Sequence, residues 1–77
     1  MKDNQLIYGI RAVIEAINAN QPINKIFLQK GLKGDLFKEL ETTIRKMGIS
    51  SSYVPVEKLN RLTRNNHQGA VAQISPV

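Results

Sequence analysis

Apolar residues in this chain switch between two spacings, and that switching constrains the fold more than any other feature. Leu6-Ile7-Tyr8 is a short strand-like run that stops at Gly9. Ile10, Val13, Ile14 and Ile17 then follow at i, i+3, i+4 and i+7, which puts them on one helix face with Arg11, Glu15 and Asn18 on the other side. Asn20 suits a left-handed helix end, and Pro22 stops the helix from continuing. Lys25-Ile26-Phe27-Leu28-Gln29 is the clearest strand. Its three consecutive apolar residues predict burial on both faces.

A second helix is expected after the Lys30–Gly34 loop, with Asp35 as its cap and Leu36, Leu40, Ile44 and Met47 as its apolar stripe, Phe37 beside it. Glu41 and Arg45 stand in the favourable i, i+4 order, and Gly48 is placed to end the helix. Ser51–Val54 reads as a third strand stopped by Pro55, and Val56, Leu59 and Leu62 fit a short helix. Ala70–Ile74 reads as the last strand, its alanines leaving room for close helix packing. The order β-α-β-α-β-α-β predicts an α/β fold: a three-layer α/β/α sandwich around a small, four-stranded, mostly parallel sheet.

With 77 residues there is room for one small domain. Such a domain buries only about 60% of the surface its unfolded chain exposes. The chain has no cysteine, so disulfides and thiolate-bound zinc are excluded and the core must be aliphatic. Its first residues do not read as a signal peptide, and no run approaches the ~20 apolar residues of a membrane span. The expectation is a soluble, cytoplasmic protein with no membrane partner. Formal net charge is +5, with a pI near 9.9. The positive charge is spread along the sequence, which favours a polyanionic partner, RNA first, over a merely soluble basic domain.

Catalysis has little to work with. His67 is the single histidine and has no second ligand at a metal-binding spacing, nor a nucleophile beside it. Glu39 and Glu41 are two apart on a helix and do not face each other, so they read as a solvated face. Gly31-Leu32-Lys33-Gly34 lies between strand and helix but lacks both glycine-rich nucleotide patterns. No catalytic, metal-ligating or cofactor-binding residue is assigned. The loop could still hold an RNA phosphate through Lys30 and Lys33, although Asp35 competes for the same positive helix end. An ordinary strand-to-helix connection is the alternative.

Arg61 through Gly69 is the segment richest in recognition chemistry. Arg61 and Arg64 can pair with phosphate, Arg64 also with a guanine edge. Asn65, Asn66 and Gln68 carry donors and acceptors for base edges or ribose hydroxyls. His67 can stack or donate, and Gly69 permits a tight turn or close backbone approach. A solvent-exposed loop would use the same residues. At the first strand–helix junction, Tyr8 serves equally for sheet-end packing or base stacking, and Gly9 for helix entry. Arg11 opposes the helix dipole, which hints at another use for its charge.

Two of these segments carry a family resemblance. Tyr8-Gly9, Ala12-Val13 and Glu15-Ala16 resemble the opening of SpoU-type (TrmH-type) RNA 2′-O-ribose methyltransferases, and Asn66 to Ala72 resembles the His-Gln-Gly element that closes their N-terminal substrate-binding domain. Ile23 to Leu28 and Val56 to Leu62 are similar to the strand and helix between them. The closest branch is the one that modifies a guanosine ribose in large-subunit rRNA. The resemblance implies a fold like that of kink-turn-binding ribosomal proteins. It also implies RNA contacts at Tyr8, Gly9, Asn66, His67, Gln68 and Gly69; Arg11, Lys30, Lys33, Arg61, Arg64 and Asn65 are added from charge and location.

On this reading residues 1–74 are an RNA substrate-binding domain, and 75–77 begin a linker to a catalytic domain outside the chain. That second domain would be trefoil-knotted, bind S-adenosylmethionine and form the dimer. The chain would recruit rRNA to it and hold no cofactor itself. A stand-alone ribosomal-type RNA binder and a protein-interaction module are the rival readings.

Overall fold

The computed structural model describes residues 5–64 and 66–74. The two spacings read from the sequence become β1 (Gln5–Tyr8), α1 (Ile10–Asn18), β2 (Ile23–Gln29), α2 (Asp35–Met47), β3 (Ser51–Val54), α3 (Val56–Leu62) and β4 (Ala70–Ile74). The strands form one sheet in the order β1-β4-β2-β3.

Alternation along the central strands sorts the core into two layers. Ile26 and Leu28 of β2 and Ala70 and Ala72 of β4 point to one face, where Val13, Ile14 and Ile17 of α1 meet Phe37, Leu40 and Ile44 of α2. Ala70 and Ala72 are completely buried, so their small side chains let helices approach the middle of the sheet. Phe27 and Val71 point the other way and pack with Leu6, Val54, Leu59 and Leu62 under α3. The expected sandwich therefore forms, with α1 and α2 on one face and α3 alone on the other. Phe27 keeps part of its ring exposed beside two lysines, with the Lys25 and Lys58 ammoniums 5.7 and 5.8 Å from its centroid.

The sheet is mixed where a mostly parallel one was expected. β1, β2 and β3 run the same way, but β4 enters between β1 and β2 and is antiparallel to both, leaving β2–β3 as the one parallel ladder. The cause lies just before β4. The 66–69 segment is tied to the ends where β1 and β2 finish: Gly9 N–H donates to the His67 carbonyl (3.1 Å) and Gln29 N–H to the Gly69 carbonyl (2.9 Å). A strand that starts where its neighbours stop must run against them.

Several helix details differ from expectation. Asp35 is the first residue of α2, not its cap. Gly34 holds the cap position, and no side chain bonds there. Met47 is half exposed, because α2 ends there and the stripe's last position overhangs the core. Glu41 accepts a hydrogen bond from the Tyr53 hydroxyl of β3. Gly48 ends α2 in the left-handed conformation, and Asn20, just after α1, also has positive φ, as their residue types predicted.

Candidate nucleic-acid interface

Three separate stretches meet at one end of the sheet, where β1 and β2 finish and β4 begins. His67 to Ala70 makes a tight turn, closed by Ala70 N–H donating to the His67 carbonyl at 2.9 Å. Its central residues, Gln68 (φ 53°) and Gly69 (φ 87°), both have positive φ, the signature of a type I′ turn. Gly9 docks β1 onto this turn, its N–H lying 3.1 Å from the His67 carbonyl and 3.0 Å from that of Ala70. Ile10 N–H, a free donor at the start of α1, is satisfied by the side-chain oxygen of Gln68 at 3.3 Å. On the other side Gln29 bonds Gly69, and Lys30 N–H reaches Val54 of β3 at 2.9 Å.

The structure gives these residues two different roles. His67 is buried, with 8% of its surface exposed. Its Nδ1 lies 2.9 Å from Gly69 N–H, and Nε2 lies 2.7 Å from Asn60 Oδ1 of α3. A backbone N–H can only donate, so Nδ1 is the acceptor and the Nε2–H donates to Asn60 Oδ1. Both nitrogens are thus spent inside the chain. This placement does not fit the expectation that the ring stacks on or donates to RNA. Gly9 and Gly69 are also buried. A Cβ at Gly69 would overlap the Leu32 side chain and come within 3.2–3.3 Å of Gln29. These three residues build the site from within.

The stretches that flank this end carry exposed polar and cationic residues. Arg11, Lys30, Lys33, Arg64, Asn66 and Gln68 are exposed, and Tyr8 is 38% exposed at the end of β1. Arg61 is exposed too, but it sits on the last turn of α3 and none of the bonds that assemble the turn involves it. Asn65 lies outside the described residues, as do Ser75 to Val77.

Asn60 and Leu32 were missed from sequence. Asn60 sits seven positions before His67 on a different element, and no spacing rule links them. Leu32 did carry a signal: an apolar residue between Lys30 and Lys33 in a glycine-rich loop needs somewhere to pack, and it packs against Gly69. A cavity of about 490 Å³ opens elsewhere, between α2 and β3, lined by Leu28, Ile44, Ile49 and Tyr53 among others. It includes none of the expected RNA-contact residues. Among the described residues there is no cluster of three or more potential metal ligands, and no helix long and apolar enough to cross a membrane.

Comparison with known proteins places this geometry. A solved protein of unknown function from Bacillus halodurans C shares the fold with a TM-score of 0.75, over 92% of this chain and 72% of its own, at 18% identity. A Staphylococcus aureus (strain COL) protein assigned by name to the TrmH family of tRNA/rRNA methyltransferases is 38% identical over 74 residues, covering 96% of this chain. A Bacillus subtilis (strain 168) protein with the same family assignment is 31% identical over 75 residues. The chain spans about 30% of the length of either relative. The sequence model of one family, RNA 2'-O ribose methyltransferase substrate binding, matches residues 6–77. The chain belongs to that family, as a substrate-binding domain of the SpoU/TrmH type.

Proposed function

We propose that this chain is the RNA-gripping part of a ribose 2′-O-methyltransferase. It holds structured rRNA of the large subunit, while a catalytic domain carried elsewhere in the polypeptide binds S-adenosylmethionine and transfers its methyl group to a ribose hydroxyl. Binding by one domain raises the effective concentration of the target at the other. Dimerisation is assigned to the catalytic domain.

The observation that supports this reading is that three stretches of chain bonded together at one sheet end carry exposed Arg11, Lys30, Lys33, Arg64, Asn66 and Gln68 next to the bonded residues. Cationic side chains supply phosphate contacts, and the amides are suited to base edges and ribose. Tyr8, at the same end, offers a partly exposed ring for stacking. His67, Gly9 and Gly69 contribute by shaping the turn.

The test is a salt titration of binding to large-subunit rRNA fragments. Each phosphate contact contributes roughly 0.7–0.9 to the slope of log K against log salt. Arg64→Ala is expected to weaken binding at low salt and lower the slope by about that amount. An unchanged titration would remove Arg64 from the site. Failure of the wild-type chain to bind any rRNA fragment at low salt would end the RNA reading.

A further inference from the structure

We infer that Gln68 is a specificity residue that presents hydrogen-bond donors, and that the end of the sheet it occupies selects acceptor-rich base edges. The inference rests on the RNA-binding reading and says which chemistry of the RNA is read.

A glutamine amide normally offers a partner both an oxygen and an N–H pair. Here its orientation is fixed by the backbone. Ile10 N–H lies 3.3 Å from the side-chain atom facing it, and because that N–H is a donor, the atom must be Oε1. The amide oxygen is therefore engaged with the start of α1. Among the described residues nothing accepts from the amide nitrogen. Gln68 itself is exposed, so its N–H pair is the end left for a partner.

The backbone under Gln68 allows little freedom. The Asn60–His67–Gly69 chain of hydrogen bonds anchors one side of the turn, and the paired bonds of Gly9 anchor the other. Gln68 occupies a left-handed position, φ 53°, that asparagine or glycine would take at lower cost. The exposed cations of the flanking stretches, Arg11, Lys30, Lys33 and Arg64, also carry donors and no acceptors, and Asn66 alone among the exposed candidates beside Gln68 adds an amide oxygen. The complement of such a surface is phosphate together with bases whose accessible edges are carbonyl or ring-nitrogen acceptors. Guanine O6 and N7, or uracil O4, fit. Adenine and cytosine also carry acceptors but set an exocyclic amino donor beside them, so one of the two Gln68 N–H groups would face another N–H.

The experiment measures binding of the full chain to four RNA hairpins that share one stem and differ in a loop of guanosine, uridine, adenosine or cytidine. Wild type is expected to favour the guanosine or uridine loop over the adenosine and cytidine loops by about tenfold. Gln68→Glu keeps an oxygen for Ile10 N–H but turns the outward group into an acceptor. It is expected to lose or reverse the preference, with the Ile10 amide resonance retained as the sign of an intact turn. Gln68→Met is expected to abolish the preference without changing the salt slope. Equal wild-type binding to all four hairpins overturns the inference, as does a preference unchanged in Gln68→Glu. Wild-type binding to none of them at low salt refutes the RNA-binding reading itself.

Discussion

Gly69→Ala probes whether the close seating of the Lys30–Lys33 loop on the turn holds this end of the sheet together. Gly69 has φ 87°, where an L side chain is strained at a cost of roughly 1–2 kcal/mol. The added methyl would also overlap Leu32 Cδ2 and crowd Gln29, whose Cβ would be 3.3 Å away. Leu32 is half-buried, so its end can swing aside, but an off-rotamer side chain costs about 0.5–1.5 kcal/mol. The sum is about 1.5–3.5 kcal/mol, against roughly 4–12 kcal/mol for a whole domain of this length. Urea unfolding followed by circular dichroism reads this directly. With a slope of about 1 kcal/mol/M, the midpoint should fall by roughly 1.5–3.5 M. Adding Leu32→Ala to Gly69→Ala removes the overlap but not the strain, so the double variant should show a smaller interaction cost than the single changes predict together. A midpoint within about 0.5 M of wild type, or strictly additive effects of the two changes, would refute the idea that the two side chains compete for one space.

Two further predictions concern bonds made by single side chains. His67→Ala leaves the buried Gly69 N–H without its acceptor and opens a small void, for a loss of about 2–4 kcal/mol in urea unfolding; Asn60→Ala, which removes only the partner of Nε2, should cost about 1 kcal/mol. The hydrogen bond from Tyr53 to Glu41, reinforced by desolvation and by the carboxylate charge, holds the Tyr53 phenol above its usual value of 10.0. A raised folded-state pKa means that this contribution to stability is complete below pH 10 and is lost as pH rises through the folded value. In a Tyr8→Phe background, the phenolate absorbance should therefore titrate above pH 10, and Glu41→Gln should move it down. Equal midpoints would show that Glu41 does not restrain Tyr53.

The fold was legible because its signals are local. The stripe Val13, Ile14, Ile17 and the run Ile26-Phe27-Leu28 each specify an element and its buried face without reference to the rest of the chain. The direction of β4 was not legible in this way. It depends on bonds from Gly9 and Gln29 to a turn some forty to sixty residues away, and nothing in the Ala70–Ile74 pattern encodes which end of the sheet it starts from. The site divides along the same line. That Arg64, Asn66 and Gln68 belong together is visible in sequence, since they are neighbours. That His67 between them faces inward is not, because its burial depends on Asn60 and on the conformation of Gly69. Residue type gave His67 a recognition role, and tertiary bonding gives it a structural one.

Alternation between inward and outward residues is what would let this short segment serve stability and, on the proposed reading, binding as well. In Asn66-His67-Gln68-Gly69 the exposed residues are the first and third, and the buried ones the second and fourth. The buried pair are bonded to each other through Nδ1 and the Gly69 amide, so the turn is rigid without help from the exposed pair. Gln68 is then free to keep a conformation that costs stability locally, because the surrounding bonds over-determine it. An amide already oriented by the Ile10 N–H would lose less entropy on meeting RNA, so more of each hydrogen bond would remain as binding free energy. On the proposed RNA-binding reading, lysines and arginines would hold any phosphate backbone alike, and a donor oriented by its own backbone bond is the feature best able to distinguish one RNA from another.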